Sequence, residues 1–313
     1  MIHMTISVNA MNAPNSSSQR LSICSPHNLI FNTPLVDVSQ LFQNFDVAVY
    51  LKIETLGPSH SAKDRAVYGM YHAAKQLGKI NRDTTIIEAT CGNEAVALAA
   101  LASMYGHKLI VVAPESISQD ILATCQSLGA TFELTPEKFA MSRALQVAEQ
   151  LTRDDPKVWS PKLFENHANA GIHEATTGPE ILRAVKPDFF VAGVGSGGVF
   201  TGIARYLKRT CTNVQLVAVE PLESQTLSQG RIGVHGIPGL GAGFIPPVFD
   251  PKLPNQILPV STQEAHAWTE RLAKQLGLLS SVSTGANLAA IARLVENREN
   301  RQKAFVSVLF AQK

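Results

Sequence analysis

Cysteine is sparse in this chain of 313 residues. Its four cysteines, Cys24, Cys91, Cys125 and Cys211, lie far apart with no C-x-x-C pair. That spacing argues against a disulfide framework and against a thiolate zinc site. No apolar run approaches the ~18–20 residues of a membrane span. Residues 1–18 are rich in Ser and Asn and have neither the basic start nor the apolar core of a signal peptide. His173-Glu174 is not followed by a second histidine at the spacing of a zinc protease, so no metal is expected. An excess of one charge is also missing: 27 Lys and Arg stand against 25 Asp and Glu, a net +2. That balance excludes the broad basic footprint of a nucleic-acid binder. The chain is 45% hydrophobic and 17% charged, which excludes global disorder. These absences leave a cytoplasmic, enzyme-sized globule of about two domains by the usual ~100–200 residues each.

From residue 47 onward, strand-like and helix-like segments alternate. Short β-branched runs are expected as strands at 47–53, 84–89, 108–113, 131–134, 188–194, 215–220 and 304–310. Helical periodicity falls at 63–78, 93–105, 139–151, 170–185, 199–208 and 286–298. Ser116 with Gln119, and Ser261 with Glu264, have capping-box spacing ahead of two further helices, the first ending near Gly129 and the second at Leu276. The alternation predicts an α/β fold, two-lobed, with mainly parallel sheets flanked by helices. A proline-containing stretch at 154–161 reads as a crossover between lobes. The division expected is a tail over 1–25, a smaller domain over 50–161, and a larger one from 26–49 plus 162–313.

Three loops at strand C-terminal ends carry the chemistry, where open α/β sheets bind ligands. Gly193-Val194-Gly195-Ser196-Gly197-Gly198 follows a strand and opens a helix. Such glycines let backbone N–H groups converge on an anion at a helix N-terminus. The segment also satisfies G-x-G-x-x-G, and Glu220 ends the next strand as a ribose-binding acid would, so a dinucleotide site is the rival reading. Ser61-Ala62-Lys63-Asp64-Arg65 puts a lysine in a first helical turn, where the helix dipole disfavours its charge and keeps a nucleophilic amine available. Thr90-Cys91-Gly92-Asn93 occupies the equivalent turn after the next strand. The stretch 230–247, rich in Gly and Pro, is long enough to be a functional loop, and its His235 is either catalytic or a surface group.

Taken in order, these motifs resemble those of the cysteine synthase and cystathionine β-synthase family of pyridoxal-phosphate (PLP) enzymes of fold type II, the tryptophan synthase β-like fold. Asn32-Thr33-Pro34-Leu35-Val36, the Lys63 and Asn93 loops, Thr176-Thr177-Gly178-Pro179-Glu180-Ile181 and the glycine loop follow the family order. So do Ala218-Val219-Glu220-Pro221, Gly239-Leu240-Gly241-Ala242-Gly243-Phe244-Ile245-Pro246 and Ser283-Thr284-Gly285-Ala286. The resemblance spans about 32–290 and demotes the dinucleotide reading. It implies that Lys63 bonds covalently to the cofactor pyridoxal 5'-phosphate and shuttles the substrate's Cα proton. It further implies that Asn93 bonds the ring oxygen, that Gly195, Ser196, Gly197, Gly198 and Val199 hold the phosphate, and that Ser283 faces the pyridine nitrogen. The expected chemistry is β-elimination or β-replacement on an amino acid with a β-leaving group, of the O-activated serine class. The expected partners are a small-molecule amino acid, an incoming nucleophile and, by resemblance, a second copy in a homodimer. Two alternatives stay open: a cofactor-binding homologue without activity that serves as a binding or regulatory partner, and a β-eliminating deaminase.

Departures from the family pattern cluster around the substrate. The resemblance places Thr90, Cys91, Gly92, Glu94, Leu163 and Gly239 there. Cys91 stands where the family has Ser, Glu94 where it has Thr, Ala95 where it has Gly, and Leu163 where it has Gln. Val199 replaces a Thr and loses a hydroxyl from the phosphate cradle. An ionised Glu94 facing a substrate carboxylate at ~4 Å would cost on the order of 4 kcal/mol at an effective dielectric near 20. Glu94 is therefore expected to turn to solvent, to bind protonated, or to meet a cationic group. Specificity differing from ordinary cysteine synthesis follows. The chain closes on Phe310-Ala311-Gln312-Lys313 where the family has a Pro-Asp turn near the pyridine ring. Reduced support there, or support from another chain, is expected.

Overall fold

The computed structural model describes residues 25–311. Cys24 and all but the last residue of the expected tail lie outside them. Ten strands occur among the described residues: β1 (Leu35–Asp37), β2 (Ala48–Ile53), β3 (Thr85–Ala89), β4 (Leu109–Pro114), β5 (Thr131–Thr135), β6 (Val158–Trp159), β7 (Phe189–Gly193), β8 (Gln215–Pro221), β9 (Gln256–Val260) and β10 (Ala304–Leu309). The helices are α1 (Lys63–Gln76), α2 (Asn93–Tyr105), α3 (Gln119–Ser127), α4 (Ala140–Asp154), α5 (Ala168–Ile172), α6 (Gly178–Ala184), α7 (Gly198–Thr210), α8 (Thr226–Gln229), α9 (Thr262–Leu276) and α10 (Val282–Val295).

The strands form a six-stranded sheet in the order β1-β2-β10-β7-β8-β9 and a four-stranded sheet in the order β5-β4-β3-β6. Every pairing is parallel except β1 with β2, as the βαβ alternation predicts. β2 crosses the boundary expected at residue 50, because the whole strand pairs with β10 of the larger sheet.

Central parallel strands are apolar on both faces because helices cover both. Along β7, Phe189 and Val191 join a core with Ala286, Leu288 and Leu272 of α9 and α10. The alternate residues Phe190 and Ala192 join one with Phe200, Ile203 and Leu207 of α7. In the smaller sheet, Ile86 and Val111 pack with α1 and α2, while Ile87 and Val112 pack with Ala144 and Ala148 of α4.

Local signals were realised unevenly. Ser261 and Glu264 form the expected reciprocal cap: Ser261 Oγ accepts from the Glu264 N–H at 3.2 Å, and Glu264 Oε2 accepts from the Ser261 N–H at 3.0 Å. Ser116 and Gln119 do not. A turn closed by Ile117 N–H to Pro114 C=O shifts the start of α3, and its N-cap is Ser118. The helix expected over 170–185 is broken by a π-helical turn, His173–Thr177. No helix among the described residues is long and apolar enough to cross a membrane, and no three metal-binding side chains cluster there.

Candidate active site

Lys63 is the first residue of α1. The preceding loop is folded by Asp64, whose carboxylate accepts from the Ser59 N–H at 3.1 and 3.2 Å. Ser61 Oγ accepts from the Lys63 N–H at 3.3 Å. Asp64 is therefore turned back onto Ser59, and α1 has Ala62 rather than Ser61 as its N-cap.

Two residues on, Arg65 is 1% exposed and fixes the helix from behind. Its guanidinium holds Glu54, the residue after β2, at 2.6 and 2.9 Å and Glu180 of α6 at 2.8 Å through each of two nitrogens. Lys52 completes the buried network with Glu180 at 2.7 Å and the Thr33 carbonyl. Two cations meet two carboxylates, so the buried charges are mutually paired, as burial requires.

The glycine loop leaves β7 at Gly193, whose N–H donates to the buried Asn287 Oδ1 at 2.7 Å. Gly197 has φ +87° and would place a Cβ 2.8 Å from the Cβ of Phe249. At Gly195 a Cβ would lie 2.1 Å from the Gly239 carbonyl oxygen. Both positions need glycine for shape, one for its left-handed backbone and one for the close approach of 239. Ser196 Oγ accepts from Asn169 Nδ2 at 3.1 Å, which sets the hydroxyl at the mouth of α7. The first turn of α7 carries no acidic side chain, so its N-terminus offers N–H groups and positive dipole to an anion.

These loops surround one cavity of about 450 Å³. Lys63 and Asn93 line one side, Gly195, Ser196, Gly197 and Val199 another, with Gly239 and Ser283 closing it. Ser283 Oγ lies 2.7 Å from Ser281 Oγ in the first turn of α10. Several walls were not foreseen from sequence: His266 and Thr269 of α9, and Ser280 and Ser281 ahead of Ser283. The serines were discoverable from their place beside the Ser283 motif; the α9 pair carried only a helical signal. Phe310 and Ala311 line the cavity as well.

Other expected residues stand elsewhere. Gly198 starts α7 but is not a cavity wall. Leu163 is 3% exposed and belongs to the apolar cluster of Ala95 and Leu98, so its side chain serves the smaller lobe's core. Its carbonyl accepts from the same Asn169 amide that reaches Ser196, at 2.9 Å. Thr90, Cys91, Gly92 and Glu94 flank Asn93 without forming the wall; Cys91 is exposed and Thr90 buried. Glu94 is 5% exposed, which removes the solvent-facing expectation. Burial raises its carboxyl to about 8; the nearby Glu88 adds to the rise, while Lys63 and Thr90 oppose it. Glu88 is likewise pushed up by burial, to about 7, against hydrogen bonds from the Lys162 N–H at 3.0 Å and Ser160 Oγ at 2.8 Å.

His235 holds the 230–247 loop together. Its Nδ1 accepts from the Ile237 N–H and its Nε2 meets the Gly241 carbonyl, both at 3.2 Å. Glu220 accepts from the Leu227 N–H at 2.7 Å and from Ser228 Oγ. It is 1% exposed and anchors α8, so no acid is left to meet a ribose, and the dinucleotide reading fails on that residue.

Comparison with known proteins agrees with this geometry. A family model described as pyridoxal-phosphate dependent enzyme matches residues 27–311. A cysteine synthase of a Flavobacterium species is 41% identical over 251 residues, covering 80% of this chain and 81% of its own. A hydrogen sulfide-producing enzyme of Fusobacterium nucleatum superposes with a TM-score of 0.87 at 34% identity, covering 93% and 97% of the two chains. An O-acetylserine-dependent cystathionine β-synthase of Helicobacter pylori does so with a TM-score of 0.85 at 33% identity, covering 93% and 96%. Matched along nearly its whole described length, the chain belongs to the family of fold-type II pyridoxal-phosphate dependent enzymes that contains the cysteine synthases and cystathionine β-synthases.

Proposed function

We propose that this chain binds pyridoxal 5'-phosphate in the cavity between its lobes and catalyses β-elimination and β-replacement on an amino acid with a β-leaving group. The observation that carries the reading is convergence: Lys63, Asn93, the glycine loop and Ser283 come from four separate segments and line one cavity. The cofactor supplies an electrophilic aldehyde and a ring that stabilises negative charge at the substrate's Cα. The protein supplies the rest. The Lys63 amine holds the aldehyde end and, when free, takes the Cα proton at its Nζ. The Asn93 amide donates toward the ring oxygen. Backbone N–H groups at the start of α7 and the Ser196 hydroxyl hold the phosphate. Val199 brings no hydroxyl to that grip. Ser283 meets the ring nitrogen with a neutral hydroxyl, which favours loss of a β-substituent over transamination.

An O-activated serine is the substrate class, supported by the kinship with O-acetylserine-dependent relatives. Cys91, Glu94 and Ala95 alter the Asn93 loop, and specificity shifted from ordinary cysteine synthesis follows. A homodimer is the working unit by the same kinship. In the test, PLP is added to the purified chain and β-substituted alanines are supplied with and without a thiol or sulfide. A visible absorption band that Lys63→Ala abolishes, and release of the β-substituent, are expected. A band with no turnover of any β-substituted alanine would mark an inactive binding homologue. Pyruvate formed equally with and without a nucleophile would mark a deaminase. Absence of the band would overturn the reading entirely.

A further inference from the structure

Ser281 is the N-cap of α10, with the extended backbone of that position, φ −74° and ψ 160°, yet its hydroxyl accepts no hydrogen bond from the helix. An N-cap serine ordinarily takes such a bond, as Ser261 does at the head of α9. The Ser281 Oγ lies instead 2.7 Å from the Oγ of Ser283, and both serines line the cavity. Ser283 is 4% exposed, so its oxygen depends on the partners the fold supplies, and Ser281 supplies one. The segment is pinned in place. The Ser281 N–H donates to the Phe310 carbonyl at 3.1 Å, the Ser281 carbonyl accepts from the Thr284 N–H at 3.0 Å, and the Thr284 hydroxyl accepts from the Phe310 N–H at 2.9 Å. Two neighbouring hydroxyls on the cavity wall are engaged elsewhere: Thr269 Oγ1 donates to the Ala265 carbonyl at 2.8 Å and Ser280 Oγ to the Ser281 carbonyl at 3.4 Å.

We propose that Ser281 is a positioning residue for the cofactor's ring nitrogen: its hydroxyl donates to Ser283 Oγ and so commits the Ser283 proton to that nitrogen. The inference rests on the cofactor site of the proposed function, in which Ser283 meets the nitrogen. Distance alone lets either serine be the donor, since each hydroxyl carries one proton and two acceptor lone pairs. The helix decides the direction. The first turn of α10 carries no acidic side chain, so its N-terminus keeps its positive dipole and disfavours a proton on a ring nitrogen beside Ser283. An unprotonated nitrogen only accepts, so Ser283 must donate to it. The Ser283 oxygen is then left as an acceptor, and the hydroxyl 2.7 Å away is the donor that fills it. A hydroxyl that accepts while it donates is polarised into a stronger donor. Ser281 thus aims and strengthens the Ser283 bond. With the direction reversed, Ser283 would turn a lone pair rather than a proton to the nitrogen.

The test sets PLP against its analogue in which the ring nitrogen is replaced by C–H, so that the aldehyde and phosphate are common to both. The full-length chain is dialysed against equal concentrations of the two compounds, and the bound ratio is read by mass spectrometry after release. The parent is expected to hold PLP roughly tenfold over the analogue, because the analogue leaves the buried Ser283 hydroxyl without its acceptor. Ser281→Ala should bring that preference to within about twofold while taking up the analogue as the parent does. Ser281→Thr, which keeps the hydroxyl, should restore it. Ser281→Gly, tolerated at an N-cap, gives the same reading should the alanine variant not fold. A Ser281→Ala variant that prefers PLP as strongly as the parent, or a parent that holds both compounds equally, would overturn this inference and leave the proposed function standing. A parent that takes up neither compound would sink the proposed function, and this inference with it.

Discussion

At the scale of the residue, Glu94 and Glu88 are carboxyls that the fold holds above the ordinary 4.5, at about 8 and about 7, with burial the first cause of each. Between pH 4.5 and 8 the folded chain therefore keeps a proton on Glu94 that the unfolded chain releases. The Glu94 contribution to stability falls as pH rises through that window, because this group binds more protons in the folded state there. Glu94→Gln removes this dependence. The variant should gain stability over the parent progressively from pH 5 to pH 8 and no further above it. Denaturation midpoints at pH 5 and pH 8.5 check this; a difference between parent and variant that is the same at both would contradict it. Lys63 and Asn93 were legible in the sequence because each stands in a motif between a strand and a helix, and Ser283 because it opens the run Ser283-Thr284-Gly285-Ala286. The orientation of Leu163 was not. A sequence names a residue type, and only the packing of α2 shows that this leucine turns into the core.

At the scale of the element, the site depends on two loops that touch backbone to backbone. Gly195 and Gly239 approach so closely that a single methyl at 195 would collide with a carbonyl oxygen, which cannot swing aside as a side-chain tip could. Gly195→Ala should push the 230–247 loop off the cradle. The expected result is a chain that folds with unchanged far-ultraviolet circular dichroism yet retains less than about a tenth of the parent's PLP absorbance, the tenfold loss that corresponds to about 1.4 kcal/mol. Full retention would show that the close contact does not shape the cradle. The central strands were legible because they are apolar on both faces. The strands missed, β1, β6 and β9, are all at sheet edges. β6 has two residues and β1 three, too few for any period to show. β9 contains Pro259, which an edge strand tolerates but which weakens a strand signal in sequence. The Ser116 cap failed for a comparable reason: a turn four residues long outcompeted it locally.

At the scale of the whole molecule, the two sheets come together around the segment that carries Lys63. Helix α1 follows a strand of the larger sheet, packs its apolar face with α2 over the smaller one, and is tied back to α6 by Arg65. The lysine is thus held from both lobes, while the glycine loop and Ser283 are fixed to the larger sheet through Asn287 and Phe310. The architecture was readable from the strand–helix alternation. What the sequence concealed was the route of the chain between lobes, because strand pairing rather than composition decides where β2 belongs. The central claim is that the Lys63 amine carries the cofactor in this cavity. The most direct measurement is borohydride reduction of the PLP-loaded chain followed by peptide mapping. The account predicts a single pyridoxyl phosphate adduct on Lys63, and an adduct on another lysine, or none, would contradict it.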